Sequence, residues 1–148
     1  MVILGLDVST TCVGYAFTEN KKILDMGFID LKKLKTPKEK TFYVLEYLCK
    51  NKHIDKIEKI NIEDNLSGFA GGRTSQQTIV KLAKFNAILG FIIEEEFRVE
   101  VENINPMTAR KKVFGKARLK GVKSKDYVKM KIEEMYDTSK WCKETTRG

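Results

Sequence analysis

Apolar and polar positions change rhythm several times along the chain, and each change marks an element. Val2 to Val8 (VILGLDV) is a short apolar run, and after the small polar turn Ser9, Thr10, Thr11 a second run spans Cys12 to Thr18 (CVGYAFT). This spacing predicts a β-hairpin. Ile23, Met26, Phe28 and Leu31 predict a third strand between Lys22 and Leu31, with Gly27 marking a bulge or a close approach. Thr36 and Pro37 stand as N-cap and first helical residue, and Phe42, Val44, Leu45 and Leu48 recur near helical spacing, so a helix is expected from Pro37 to about Asn51. Lys59 to Glu63 (KINIE) reads as a fourth strand, parallel to the first because a helix intervenes.

The glycine-rich segment Ser67 to Arg73 (SGFAGGR) precedes Thr74 and Ser75, either of which can cap a long helix through Ile79, Leu82, Phe85, Ile88, Leu89 and Ile92. Val80, Ala83, Ala87 and Phe91 extend its apolar surface beyond one face, which calls for burial on two sides, under another helix of the chain or against a second copy related by two-fold symmetry. Arg98 to Ile104 alternates with period two and predicts a fifth strand. Asn105 and Pro106 open a short helix ending near Gly115, and Ser124 caps a last helix, with Val128, Ile132 and Met135 recurring, to about Asp137. The order β-β-β-α-β-α-β-α-α defines an α/β fold, a five-stranded mixed sheet with helices on both faces. In such sheets ligands gather outside the carboxyl ends of the parallel strands.

A length of 148 residues makes one domain, residues 1–148, the expected organisation. The formal charge of +8 and pI near 9.3 favour a polyanionic partner, because every phosphate neutralised by Lys or Arg releases a condensed counterion. Basic residues concentrate at Lys111, Lys112, Lys116, Arg118, Lys120, Lys123 and Lys125, a connector broken by Gly115 and Gly121 and unbalanced by any acid before Asp126. A solvated face would look similar, but contact with a DNA backbone accounts for the imbalance. The three cysteines, Cys12, Cys49 and Cys142, are too widely spaced for a zinc site or a disulfide framework and fit a reducing, cytoplasmic setting. The chain starts directly in a strand, and no run of about 18 apolar residues occurs, so a soluble, unprocessed protein with no membrane partner is expected.

Asp7 ends the first strand and Glu63 the fourth. If these strands are neighbours, the two carboxylates meet at one edge of the sheet and repel unless a cation lies between them, and hard oxygen ligands select Mg²⁺ or Mn²⁺. The alternative is that Asp7 caps the turn with Ser9 and Thr10 and that Glu63 is a solvated strand end.

The stretch Ile3 to Phe17, ILGLDVSTTCVGYAF, resembles the opening of RuvC-like Holliday junction resolvases, which belong to the RNase H-like superfamily. The similarity continues through INIED, the long helix SQQTIVKLAKFNAILGFIIEEEF, and NPMTARKKVFG followed by SKDYVKMKI, and covers nearly the whole chain in order. The resemblance, closest to phage or viral members, implies an RNase H-like nuclease domain acting as a homodimer that cleaves branched DNA with metal-activated water. It places Asp7 and Glu63 as metal ligands and Lys112 and Lys125 as basic residues near the site, Lys125 with a catalytic role. Phe69 would stack on an unpaired base or wedge a junction, or else fold onto the domain as an ordinary loop aromatic, and Arg73, Lys116, Arg118, Lys120 and Lys123 would contact DNA. The sequence departs from the family at its end. The family closes its site with a pair of acids on a C-terminal helix, whereas here the residues Lys143 to Gly148 (KETTRG) follow and only Asp137 and Glu144 lie nearby. This reads as a truncated piece that binds metal weakly and cuts poorly. A DNA-binding protein that has lost catalysis, and a fragment of an actin- or sugar-kinase-like phosphotransferase, are the competing classes.

Overall fold

Alternation along β1 (Val2–Val8) buries Val2, Leu4, Leu6 and Val8 and turns Ile3, Gly5 and Asp7 to the opposite face. In the computed structural model, which describes residues 1–64 and 75–141, the chain falls into two compact units, Met1–Asn105 and Pro106–Gly148. The first holds a mixed five-stranded sheet in the order β3-β2-β1-β4-β5. β2 (Cys12–Glu19) pairs antiparallel with β1 and with β3 (Lys22–Asp30), and β4 (Ile57–Glu63) runs parallel to β1 and to β5 (Val101–Ile104).

Two strand starts differ from the sequence expectation. β4 begins at Ile57, because a short 3₁₀ turn (Ile54–Lys56) delivers that residue, itself buried, opposite Val2. β5 begins only at Val101, because α2 (Gln76–Phe97) continues to Phe97 and Arg98 closes it in a left-handed conformation (φ 53°, ψ 39°). The alternation of Arg98–Glu100 is thereby used up in leaving the helix.

α1 (Pro37–Cys49) starts with a capping box: the Glu39 amide donates to Thr36 Oγ1 at 3.1 Å, and the Thr36 amide donates to Glu39 Oε2 at 3.2 Å. Ser75 caps α2 by accepting from the Thr78 amide at 3.3 Å, whereas Thr74 lies outside the described residues. Val44 and Leu48 of α1 and Phe85, Leu89 and Ile93 of α2 join Leu4, Leu6, Val8, Phe17, Ile60 and Ile62 in one core. Both helices therefore cover the same face of the sheet and leave the face of Asp7 to other groups. Phe42 and Ile88, expected in the core, are 53% and 42% exposed. Each stands next in sequence to a buried residue, Thr41 and Leu89, and one step along a helix turns a side chain by about 100°.

Gly27 is the close approach that its position suggested, while the irregularity in the β2–β3 ladder lies at Phe17/Thr18. A Cβ at Gly27 would stand 2.8 Å from the Tyr15 hydroxyl and 3.1 Å from its Cζ. Tyr15 is wedged between Phe17 (6.0 Å between ring centroids) and Tyr47 (5.8 Å), so it has little room to retreat. Gly27→Ala is expected to destabilise the first unit by about 1–3 kcal/mol through overpacking, read as a lower urea midpoint. An unchanged midpoint would show that Tyr15 yields freely.

The second unit carries α3 (Pro106–Phe114) and α4 (Ser124–Met135). Lys123, not Ser124, occupies the N-cap position, and no side chain caps the helix there. Tyr127 is buried, meets Phe114 edge-on at 5.9 Å, and donates its hydroxyl to the Lys116 carbonyl at 2.8 Å, which pins the basic connector between the helices. Val128 and Ile132 are half-buried and Met135 is exposed, so Tyr127 is the anchor that the apolar spacing missed. Among the described residues no helix is long and apolar enough to cross a membrane.

Candidate active site

The β1–β4 register pairs Leu6 with Ile62, so Asp7 and Glu63 are the next residues at the carboxyl ends of adjacent parallel strands, about 4.8 Å apart. Burial alternates along β4, with Ile60 and Ile62 in the core, and this puts Lys59, Asn61 and Glu63 on the face that carries Asp7. Asp7 is exposed, and among the described residues its carboxylate takes part in no hydrogen bond or ion pair. The turn that follows is closed without it: Ser9 Oγ donates to the Cys12 carbonyl (2.8 Å) and accepts from the Cys12 amide (3.0 Å), and the Ser9 amide donates to the Cys12 carbonyl (2.9 Å). The turn-cap alternative for Asp7 is thus replaced by Ser9. Glu63 is half-buried and pairs with Ile104 of β5, and the ladder is extended by the Asp64 amide donating to the Ile104 carbonyl at 2.8 Å.

Opposite Asp7 on β2 stands Gly14. Among the described residues a Cβ there would meet only Asp7, at 3.7 Å from its Cβ and 4.0 Å from its carbonyl oxygen, so β2 itself sets no side chain against the carboxylate. This end of the sheet carries negative potential. Burial, then the charges of Asp30 and Asp7, push the Cys12 thiol above its ordinary range, while Lys32 works weakly against them. Lys40 of α1 brings a cation to the same turn, donating Nζ to the Thr10 carbonyl at 2.5 Å. One row inward, Asn61 stands between Gly5 and Glu102, and its Oδ1 is buried with no hydrogen-bond partner among the described residues. Lys59 and Glu102 form an ion pair on this face.

Two hard carboxylates at neighbouring strand ends suit a small divalent cation that takes its remaining ligands from water or phosphate, the usual habit of Mg²⁺. Among the described residues no cluster of three or more His, Cys, Asp or Glu could hold an ion. Asp137 is engaged elsewhere, accepting from the Ser139 hydroxyl (2.7 Å) and amide (3.1 Å), which hold its carboxyl below the usual range, and Glu144 lies outside the described residues.

Phe69 and Arg73, with the glycines around them, also lie outside the described residues. In the second unit Lys112 is on α3, Lys116, Arg118 and Lys120 lie in the connector, Lys123 stands at the N-cap position of α4 and Lys125 is in its first turn. All six are exposed, and none pairs with an acid among the described residues. Lys40, Asn61 and Phe28 were not singled out from the sequence as site residues. For Asn61 the signal was present: in KINIE, period two sets it on the face of Glu63. For Lys40 there was none, since its reach to Thr10 depends on how α1 packs.

A mixed sheet in the order β3-β2-β1-β4-β5 with acids at the ends of its parallel strands is an RNase H-like α/β fold of the RuvC kind. The chain is similar to the RuvC structure from Thermus thermophilus, with a TM-score of 0.67 and 15% identity over 91% of this chain and 80% of that one. It is also similar to T. thermophilus RuvC in complex with Holliday junction substrate, with a TM-score of 0.62 and 15% identity over 79% of this chain and 73% of the other. At this identity the likeness establishes the fold. Neither a protein-family model nor a curated protein sequence matches the chain.

Proposed function

We propose that the chain is a metal-dependent endonuclease that hydrolyses phosphodiester bonds in Holliday junctions or related branched DNA. The observation that carries this reading is the placement of Asp7 and Glu63 on one face at the ends of adjacent parallel strands, with Asp7 unused by the fold. Support comes from the RuvC-like fold and from the neighbour described in complex with Holliday junction substrate.

Asp7 and Glu63 would hold Mg²⁺ or Mn²⁺, which when bound lowers the pKa of water and offsets charge on a phosphate. The carboxylates orient the reacting groups, and Lys125 counters negative charge that builds on the phosphate during displacement. Lys112, Lys116, Arg118, Lys120 and Lys123 hold the DNA backbone, an interaction that positions DNA without reading its sequence. Phe69 and Arg73 act on the branch itself, by stacking and by phosphate contact. A homodimer presents two such sites to two strands. Its support is α2, where Val80, Ile88 and Phe91 are 50%, 42% and 66% exposed although the opposite side of the helix fills the core. The setting is the cytoplasm.

The second reading is a DNA-binding protein of the same fold without catalysis, favoured because among the described residues no group of three or more His, Cys, Asp or Glu could hold a metal ion. Incubation with a four-way junction and a linear duplex of the same sequence, in Mg²⁺ and in Mn²⁺, separates the two. Symmetric nicking of the junction is expected. DNA binding without cutting in either metal would establish the second reading, and binding to neither DNA would overturn both.

A further inference from the structure

The cross-strand registers align Phe28 of β3 with Gly14 of β2, and Gly14 with Asp7 of β1, in one row across the outer face of the sheet. Gly14 has no side chain, and among the described residues a Cβ there would touch only Asp7, so in this row only β2 backbone separates the phenyl ring from the carboxylate. Two strand spacings put their backbones roughly 10 Å apart. Phe28 is 67% exposed, the most exposed large apolar side chain among the described residues. Its direction is set by its neighbours: Ile29 is 1% exposed on the opposite face, and Gly27 lies over the Tyr15 hydroxyl. The ring is therefore held outward in the row of Asp7, with a glycine between them.

We infer that Phe28 is a stacking platform for an unpaired nucleobase of the DNA strand engaged at the Asp7–Glu63 edge. The inference rests on the proposed nuclease reading and adds to it a base subsite on β3. An aromatic face binds any base by stacking and so suits an enzyme that selects structure over sequence. The net charge of +8 favours a polyanion as partner of the chain as a whole, and a divalent cation between Asp7 and Glu63 would offset the local negative charge at this edge. A duplex offers few free base faces, so the platform favours branched or frayed DNA.

The test uses the full chain with Phe28→Ala and Phe28→Trp, titrated with a four-way junction and a blunt duplex. Trp141 is the single native tryptophan, so the wild type gives the fluorescence background. Phe28→Trp is expected to bind the junction as tightly as the wild type and to show quenching beyond that background, and Phe28→Ala to bind roughly tenfold more weakly. Unchanged affinity in Phe28→Ala, with wild-type binding intact, would overturn the platform and leave the nuclease reading standing. Weaker binding in Phe28→Ala without extra quenching in Phe28→Trp would mean an indirect effect and would also overturn it. If Phe28→Ala instead shifts the protein from dimer to monomer in light scattering, the ring belongs to a second copy. A wild type that binds no branched DNA would bring down both readings.

Discussion

Asp7→Asn is expected to lower cleavage of a four-way junction in Mg²⁺ by at least about 100-fold, because losing a direct ligand should exceed the effect of removing a group that only supports one. The same substitution should leave the melting temperature unchanged or slightly higher. Asp7 is exposed, its carboxylate forms no hydrogen bond or ion pair among the described residues, and the turn after it is closed by Ser9. Asparagine keeps the shape and removes a charge that faces Glu63 and burdens the Cys12 thiol. Had Asp7 been the turn cap, its loss would have destabilised the fold by about 1 kcal/mol. Mn²⁺ titration followed by electron paramagnetic resonance gives an independent readout, with weaker binding expected in Asp7→Asn. Equal cleavage by both proteins would remove Asp7 from the reaction.

The largest expected effect on stability is that of Phe85→Ala. Phe85 is 1% exposed and seats α2 in the core with Leu89 and Ile93, so truncation leaves a cavity costing about 3–5 kcal/mol. For a protein of this size that corresponds to a melting point lower by roughly 10–20 °C. Phe91→Ser on the same helix is the contrast. Phe91 is 66% exposed, and its replacement should change monomer stability by no more than about 0.5 kcal/mol, while weakening any dimer that uses this side of α2. Circular dichroism melts with light scattering distinguish these outcomes. A small loss in Phe85→Ala would mean that α2 is not anchored through that ring.

Much of the architecture is readable from local pattern. The hairpin from Val2 to Glu19, the capping box at Thr36 and Glu39, the Ser75 cap and the parallel crossover to β4 follow from residue types a few positions apart. Element ends were less legible. Arg98–Glu100 alternates like a strand, but the continued packing of α2 through Ile93 and Phe97 carries the helix up to that pattern, so Arg98 is used to close the helix instead of opening a strand. Phe42 and Ile88 show the same limit, since apolar spacing marks a stripe of the helix and the sheet's position decides which edge of that stripe is buried.

Asp7 and Glu63 were identifiable from the sequence as strand-end carboxylates, because an acid closing an apolar strand is a local feature. Their adjacency was not, since it depends on the register that pairs Leu6 with Ile62 across 56 positions of chain. The same holds for the open space at Gly14, the orphaned Asn61 oxygen and the row from Phe28 to Asp7. The sequence by itself determined which residues form strands and helices and which acids end them, because those outcomes follow from side-chain periodicity and caps over a few residues. Only the tertiary structure decided which groups share a face and an edge, because strand register and helix packing are set by the core as a whole.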